Sequence, residues 1–342
     1  MSNWGTNPKL PPLLGGGQRS MTYSQAIAEA MQLALEHGPG VRVFGEGVTD
    51  KGGTYGTTRG LEERFGPRRV FDVPVAEGLI TGLAVGMALG GLRPIAIHPR
   101  NDFVLLALDQ LCNHAAKWAT MFGGKSRCPL VIRSVSCRGW GSAAQHSQAL
   151  HAMLAQFPGL TVAVPFTPAD AKAMLLWAAL ESDGPVAIME HKYLWNLSGD
   201  VPAGLTFAPP DGPAIVRAGC DVTLVGISFG AAQAMMAAEK LAEQSVQAEV
   251  IDLRWLRPLN VRKIVESVRK TGRLVVVDTA HASFGASGEV IASVAQALRP
   301  AEWKAAPARV ALPDEPTPGS NEDRYFPGAD DIVASALRVM SE

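Results

Sequence analysis

Glu77 ends the run DVPVAE (72–77), and glycine follows at every fourth position, Gly78, Gly82, Gly86 and Gly90. That spacing leaves one face of a helix without side chains, so the face can lie against another backbone. A carboxyl at the mouth of such a helix has two readings. It is a buried acid that needs a partner for its charge or its proton, or it does no more than complement the positive end of the helix dipole. Two further segments carry chemistry-bearing side chains, HPRNDF (98–103) and RGWGSAAQHSQ (138–148). They add an aromatic, Phe103, and a histidine, His146, in a glycine-rich loop where backbone can approach a ligand closely. A histidine there suits acid–base work near neutral pH, or simply hydrogen-bonds the loop to itself. Phe103 opens an apolar run and has core packing as its other role. His98 and His151 are further candidates with no local argument of their own. His37, His114 and His191 sit on or beside expected helices and strands and read as structural.

These residues need a scaffold, and short apolar runs alternating with helical ones supply it. Strands are expected at VRVF (41–44), IAI (95–97), LVI (130–132), LTVAV (160–164) and VAIM (186–189). Helices are expected over 78–90, 103–118 and 168–181. A capping box at Thr22–Gln25 opens an earlier one, with Ile27, Met31, Ala34 and Leu35 at helical spacing. Solid apolar strands alternating with helices predict an α/β fold with a parallel sheet covered on both faces. In a doubly wound sheet ligands gather at the carboxyl ends of the strands, which is where the three segments above fall. The Pro-, Gly- and Asp-rich stretch 196–219 reads as a linker. Alternation then restarts with DVTLVGIS (221–228), a helix near 231–243, AEVID (248–252), a helix near 260–270, RLVVVD (273–278) and a helix near 287–298. Two doubly wound domains are expected, 21–197 and 220–342, joined by a linker at 198–219. A flexible Pro/Gly-rich tail, 1–20, precedes them.

Bulk properties narrow the function. The 342 residues are 47% apolar with a net charge of −1, so no nucleic acid partner is expected. The longest apolar run, 78–92, is too short and too rich in glycine to span a bilayer. The first residues lack a basic region followed by an apolar core and so do not read as a secretory signal. The four cysteines form no CxxC pair and no metal-ligand spacing. A reduced, cytoplasmic protein is the simplest reading. The glycine-rich loops contain neither GxxxxGK[ST] nor a strand-linked GxGxxG.

From about residue 21 to the C-terminus the chain resembles the β subunit of the thiamine-diphosphate-dependent, decarboxylating component of 2-oxo acid dehydrogenase complexes, within the transketolase-like family. The resembling segments are GEGV (45–48), RVFDVPVAE (69–77), GLRP (91–94), DQLCNHAAK (109–117), AAQHSQ (143–148), PGLTVAVPFTPADAK (158–172), DLRWLRPLN (252–260) and KTGRLVVVD (270–278), in that order. The resemblance implies an N-terminal pyrimidine-binding domain and a C-terminal transketolase-type domain. It implies an assembly with an α subunit and a second β subunit, the α subunit holding the diphosphate and Mg²⁺. The chain itself lacks the GDG-then-Asn motif that holds a metal–diphosphate pair in such enzymes; SDG (182–184) runs straight into Pro185. By the same resemblance Glu77 is the catalytic acid that hydrogen-bonds a ring nitrogen of the cofactor's aminopyrimidine. Phe103 packs on that ring, Glu46 is a further acid near the cofactor, and His146 moves protons near the acyl acceptor. The glycine face of 78–90 packs between subunits.

The implied activity is decarboxylation of a small-molecule 2-oxo acid and transfer of the acyl group to a lipoyl acceptor, with a lipoyl acyltransferase as partner. Departures from the family pattern keep a rival open. His98-Pro-Arg-Asn-Asp102 replaces an acidic, aromatic run, and Arg100 adds a fixed cation suited to carboxylate or phosphate. RGWG (138–141) replaces a loop of small residues, and His281 departs from the common C-terminal pattern. Ser182 stands where the family often has an Asp at a potassium site. The rival is a transketolase-like two-carbon or acyl transferase acting on a sugar or a carrier-bound acceptor. A catalytically silent assembly subunit is a third reading, against which Glu77, Phe103 and His146 all weigh.

Overall fold

In the computed structural model of the chain, which describes residues 19–136, 142–320 and 322–342, two units separate by their internal packing. The RGWG loop and residues 1–18 of the expected tail lie outside the described residues. The N-terminal unit holds the described residues up to 136 together with 153–209, and the C-terminal unit holds 142–152 together with 210–342.

The N-terminal unit opens with β1 (Ser20–Thr22) and α1 (Tyr23–His37). The expected capping box is present: Gln25 N–H donates to Thr22 Oγ1 at 3.3 Å and Thr22 N–H donates to Gln25 Oε1 at 2.8 Å. β2 (Val41–Gly45), α2 (Leu61–Phe65), β3 (Val70–Asp72), α3 (Glu77–Leu89) and β4 (Arg93–His98) follow. After them come α4 (Ala116–Met121), β5 (Val131–Ser136), α5 (His151–Ala155, whose first two residues are grouped with the C-terminal unit), β6 (Thr161–Ala163), α6 (Pro168–Leu180), β7 (Val186–His191) and β8 (Ser198–Asp200). Six of these strands pair in parallel in the order β6-β7-β5-β4-β2-β3. β5 and β7 are buried along their whole length, as strands covered on both faces must be. β8, from the stretch expected as linker, pairs antiparallel with β1.

Two departures from the expected elements have physical causes. The single helix expected over 103–118 is a 3₁₀ segment (Asn101–Ala107), a π turn (Asp109–Ala115) and then α4. This segment crosses α3, and a Cβ built on Gly78 would lie 3.1 Å from Leu106 O. The glycine face, implied to pack between subunits, therefore packs first within its own chain. Gly82 faces the Gln110 side chain, and Gly86 meets nothing within 4 Å. Second, β5 runs on past the expected LVI through Arg133, whose side chain is fully buried. Glu190 of the neighbouring β7 neutralises it: Arg133 Nε donates to Glu190 Oε1 and Nη2 donates to Oε2 at 3.0 Å. Nη1 donates to Thr57 Oγ1 at 2.7 Å. Planar, bidentate pairing is what lets a guanidinium sit inside a sheet.

The C-terminal unit contains β9 (Ala214–Arg217), β10 (Val222–Gly226), α7 (Phe229–Glu243), β11 (Ala248–Asp252), β12 (Trp255–Arg257) and α8 (Arg262–Thr271). β13 (Leu274–His281), α9 (Ala286–Ala297), β14 (Ala308–Leu312), α10 (Glu322–Tyr325) and α11 (Ala329–Ser341) complete it. Its sheet runs β14-β13-β10-β11-β9, parallel except for the antiparallel edge strand β9. Apolar residues of α7 and α11, among them Ala237, Leu241, Ile332 and Val339, close over Leu224, Val250, Val275 and Val277. Among the described residues no helix is long and apolar enough to cross a membrane.

Arg133→Met strands the Glu190 carboxylate in the sheet and should destabilise the N-terminal unit by about 3–5 kcal/mol, whereas Arg133→Met combined with Glu190→Leu should recover most of the loss. Urea denaturation of both variants checks this; equal losses would assign the effect to packing rather than to the buried charge.

Candidate functional site

The register of three strands brings acids to one edge. Asp72 at the end of β3 lies opposite Gly45 at the end of β2, which lies opposite Ile97 in β4. Gly45 is required there: its φ is +148°, and a Cβ would meet Ile97 O at 2.2 Å. Glu46, the next residue, therefore leaves the sheet beside Asp72. The turn beyond it is tied down by Val48 N–H donating to Asp72 Oδ1 (2.8 Å) and Thr58 Oγ1 donating to Val48 O (2.8 Å). Thr54 Oγ1 donates to Glu46 O at 3.3 Å.

Glu77 is the first residue of α3, after an N-cap Ala76 that has no side chain to offer. It is only 5% exposed. Glu46 Oε1 is buried with no hydrogen-bond partner among the described residues. Burial first, then the nearby Glu77 and Asp72, push the Glu46 carboxyl up to about 7. Two glutamates and an aspartate thus share one end of the sheet, and one of them, Glu46, titrates near neutrality. Such coupled carboxyls are what acid–base chemistry requires.

The HPRNDF segment follows β4 at the same edge. His98 is 1% exposed, its Nε2 sits 3.0 Å from Thr81 Oγ1 one turn into α3, and burial lowers its pKa to about 4. It is a neutral ring beneath the helix that begins at Glu77. Arg100 has one guanidinium nitrogen, Nη1, buried without a hydrogen-bond partner among the described residues. Phe103, half-buried, is the third residue of the 3₁₀ segment and directs its N–H at Arg100 O (3.3 Å).

His146 belongs to the C-terminal unit. It is half-buried, and its N–H closes a turn on Ala143 O at 3.2 Å. Its neighbours Ala144, Gln145 and Gln148 line an open cavity of about 400 Å³ with His281, Asp314 and Thr317. Five residues on, His151 Nε2 lies 2.8 Å from Asp278 Oδ1, and both side chains are buried. Burial alone would raise the Asp278 carboxyl, but the His151 charge and hydrogen bond, with the N–H groups of Ala280 and Ser287, outweigh it. They hold Asp278 below the usual carboxylate range. His191, buried, accepts the Tyr193 N–H on Nδ1 at 3.2 Å, in keeping with a structural role.

The N-terminal unit therefore brings Glu46 and Glu77 together with Asp72, and carries Phe103 after the adjoining strand, whereas His146 packs within the other unit. Asp72, Thr81 and Asp278 were not singled out from the sequence. Asp72 had a local signal, an acid closing the strand VFD directly before the DVPVAE turn. Asp278 had none, because its partner lies far away in the chain.

Two family profiles match the chain, "Transketolase, pyrimidine binding domain" over residues 19–196 and "Transketolase, C-terminal domain" over residues 213–332. The acetoin:2,6-dichlorophenolindophenol oxidoreductase subunit beta of Cupriavidus necator is 40% identical over 335 residues, covering 94% of this chain and 98% of that protein. The mitochondrial pyruvate dehydrogenase E1 component subunit beta of Chaetomium thermophilum is 37% identical, covering 94% of this chain and 87% of that protein. Among solved structures, a chain described as "Split gene transketolase, inactive beta4 tetramer" superposes with a TM-score of 0.76 at 24% identity. It covers 94% of this chain and 99% of that one, a likeness of fold.

The raised Glu46 carboxyl has a signature in stability. Its contribution is fully present below the unfolded value of 4.5 and is lost as pH rises through about 7. Glu46→Gln cannot ionise, so the stability difference between wild type and variant should change between those two pH values and level off above them. Denaturation midpoints of both proteins from pH 5 to 8 test it; parallel profiles would mean that Glu46 titrates as an ordinary exposed acid.

Proposed function

We propose a function for a chain that belongs to the transketolase-type family of dehydrogenase E1 β subunits: it is the β subunit of a thiamine-diphosphate-dependent 2-oxo acid dehydrogenase. It works with an α subunit that holds the diphosphate and Mg²⁺, and it hands the acyl group to a lipoyl acceptor. The observation that carries this reading is the buried Glu77 at the start of α3, near a Glu46 whose carboxyl is raised to about 7.

The residues fit the pyrimidine half of the cofactor. Glu46 offers a buried carboxyl oxygen with no protein partner among the described residues, which is how a group awaiting a polar heterocycle looks. Thiamine diphosphate, when bound, supplies a thiazolium carbon that adds to the 2-oxo group and an electron sink for loss of CO₂. Glu77 would hold a ring nitrogen of the aminopyrimidine through its carboxyl, fixed as the first residue of α3. Protonated Glu46 would carry no charge to repel that carboxyl, and it has an O–H to donate. Phe103 would pack an apolar face on the ring. His146, in its half-buried turn, would pass protons during transfer to the acceptor.

The partnership has support of its own. Val75 is 75% exposed and Leu79 63%, with Leu83 one turn further and Leu106 at 65% on the segment that crosses α3. An apolar stripe of this kind beside the acids suits burial against a partner, here an α subunit and a second β subunit. The relatives give no support to the rival transferase on sugar or carrier-bound acceptors, since those named above are oxidoreductase and dehydrogenase subunits.

Glu77→Gln should leave assembly intact and lower turnover by several powers of ten, each tenfold corresponding to about 1.4 kcal/mol of barrier. Near wild-type turnover by an assembled Glu77→Gln enzyme would sink the assignment. Calorimetric titration of thiamine diphosphate should show weak binding to this chain alone, and tight, Mg²⁺-dependent binding once an α chain is added. Tight binding by the chain alone would refute the half-site reading. His146→Ala should slow acyl transfer to a lipoyl acceptor more than decarboxylation followed with an artificial electron acceptor; equal losses would move His146 to substrate or cofactor binding.

A further inference from the structure

We propose that His151 is a positioning residue: through Asp278 it fastens the segment that carries His146 to the C-terminal sheet. The inference rests on the function proposed above for His146, and it deepens that reading.

Residues 142–152 lie in sequence between β5 and β6 of the N-terminal unit, yet they pack with residues 210–342. From Ser142 to Leu150 they form neither helix nor strand. Regular structure resumes at His151, the first residue of α5, and at that residue the segment meets a rigid element. Asp278 lies in β13, which pairs with β10 on one side and β14 on the other. Its carboxylate is oriented independently of His151: Ala280 N–H reaches Oδ1 at 3.1 Å and Ser287 N–H, in the first turn of α9, reaches Oδ2 at 3.0 Å. Gly285 keeps that approach open, since a Cβ there would sit 3.2 Å from Oδ2 and 2.1 Å from His281 O. His151 Nε2 completes the carboxylate's shell at 2.8 Å, in a place where the two side chains are 3% and 0% exposed.

Both carboxylate oxygens are thus held by backbone that does not move with the loop, and the imidazole is the loop's own handle on them. Charge-assisted bonds in a dry site are short and directional. A proton-transfer group must sit within hydrogen-bond reach of its target, and a displacement of about 1 Å can lower a rate by about a hundredfold. His151 lies five positions from His146, so loss of the fastening point frees the turn that carries His146. Neither residue of the pair is needed to bind substrate for this to matter.

The test uses the assembled α/β enzyme with His151→Ala and with His151→Gln, whose amide N–H can reach Asp278. Three quantities are read: decarboxylation with an artificial electron acceptor, acyl transfer to a lipoylated domain, and hydrogen exchange of peptides covering 142–150. We expect the ratio of acyl transfer to dye-coupled turnover to fall tenfold or more in His151→Ala. Exchange over 142–150 should accelerate, and His151→Gln should restore most of both. If His151→Ala does not assemble, His151→Asn, too short to reach, takes its place against His151→Gln. An unchanged ratio, or unchanged exchange over 142–150, overturns the proposal. Should wild type transfer no acyl group to the lipoyl acceptor, the proposed function fails on that result, and the exchange data still decide whether His151 holds the loop.

Discussion

Three carboxyl groups meet at one end of the N-terminal sheet, where burial first and their proximity second raise the Glu46 carboxyl to about 7. Glu46, Asp72 and Glu77 arrive there because β3, β2 and β4 run parallel in a fixed register and α3 begins one short turn later. Burial disfavours the charged form of an acid, and a like charge nearby adds to that cost. Asp72 accepts a backbone N–H from Val48. Glu77 sits where the dipole of a thirteen-residue helix is positive. Glu46 has neither contact, and its carboxyl is the one raised to about 7. The strand that leads to Glu46 ends in glycine for a steric reason, since a Cβ at Gly45 would run into the Ile97 carbonyl of β4.

The chain sequence displayed most of this scaffold. The capping box at Thr22, the strands of β2, β4 and β7 and the helices α3, α6 and α7 follow from pattern alone, because each signal is local. Arg133 hid the length of β5, since a lone cation in an apolar run reads as an end until Glu190 is known to face it. The segment 101–121 hid its changes of winding, which follow from crossing α3 at Gly78 and leave no mark on its own hydrophobic spacing. β14 was missed because Arg309 interrupts a run of only five residues.

Legibility of the site divided in the same way. Glu77 and Glu46 were visible through the segments that carry the family resemblance, and so were Phe103 and His146 as candidates. What the sequence withheld was the grouping. Asp72 joins the acids only through strand register, and His98 becomes a neutral ring under α3 only once β4 places it there. His151 and Asp278 are 127 positions apart, a separation at which pairing leaves no periodic trace.

The boundary between the two family profiles falls between residues 196 and 213, but the folded chain is not divided there alone. Residues 142–152 are encoded within the first profile and packed against residues of the second. An exchange of coding halves between related genes, made at the obvious seam, would deliver His151 from one ancestor and its aspartate from the other. Recombinants would set the loop that carries His151 against a foreign anchor. Heredity, on this view, treats the two domains as a single linked trait.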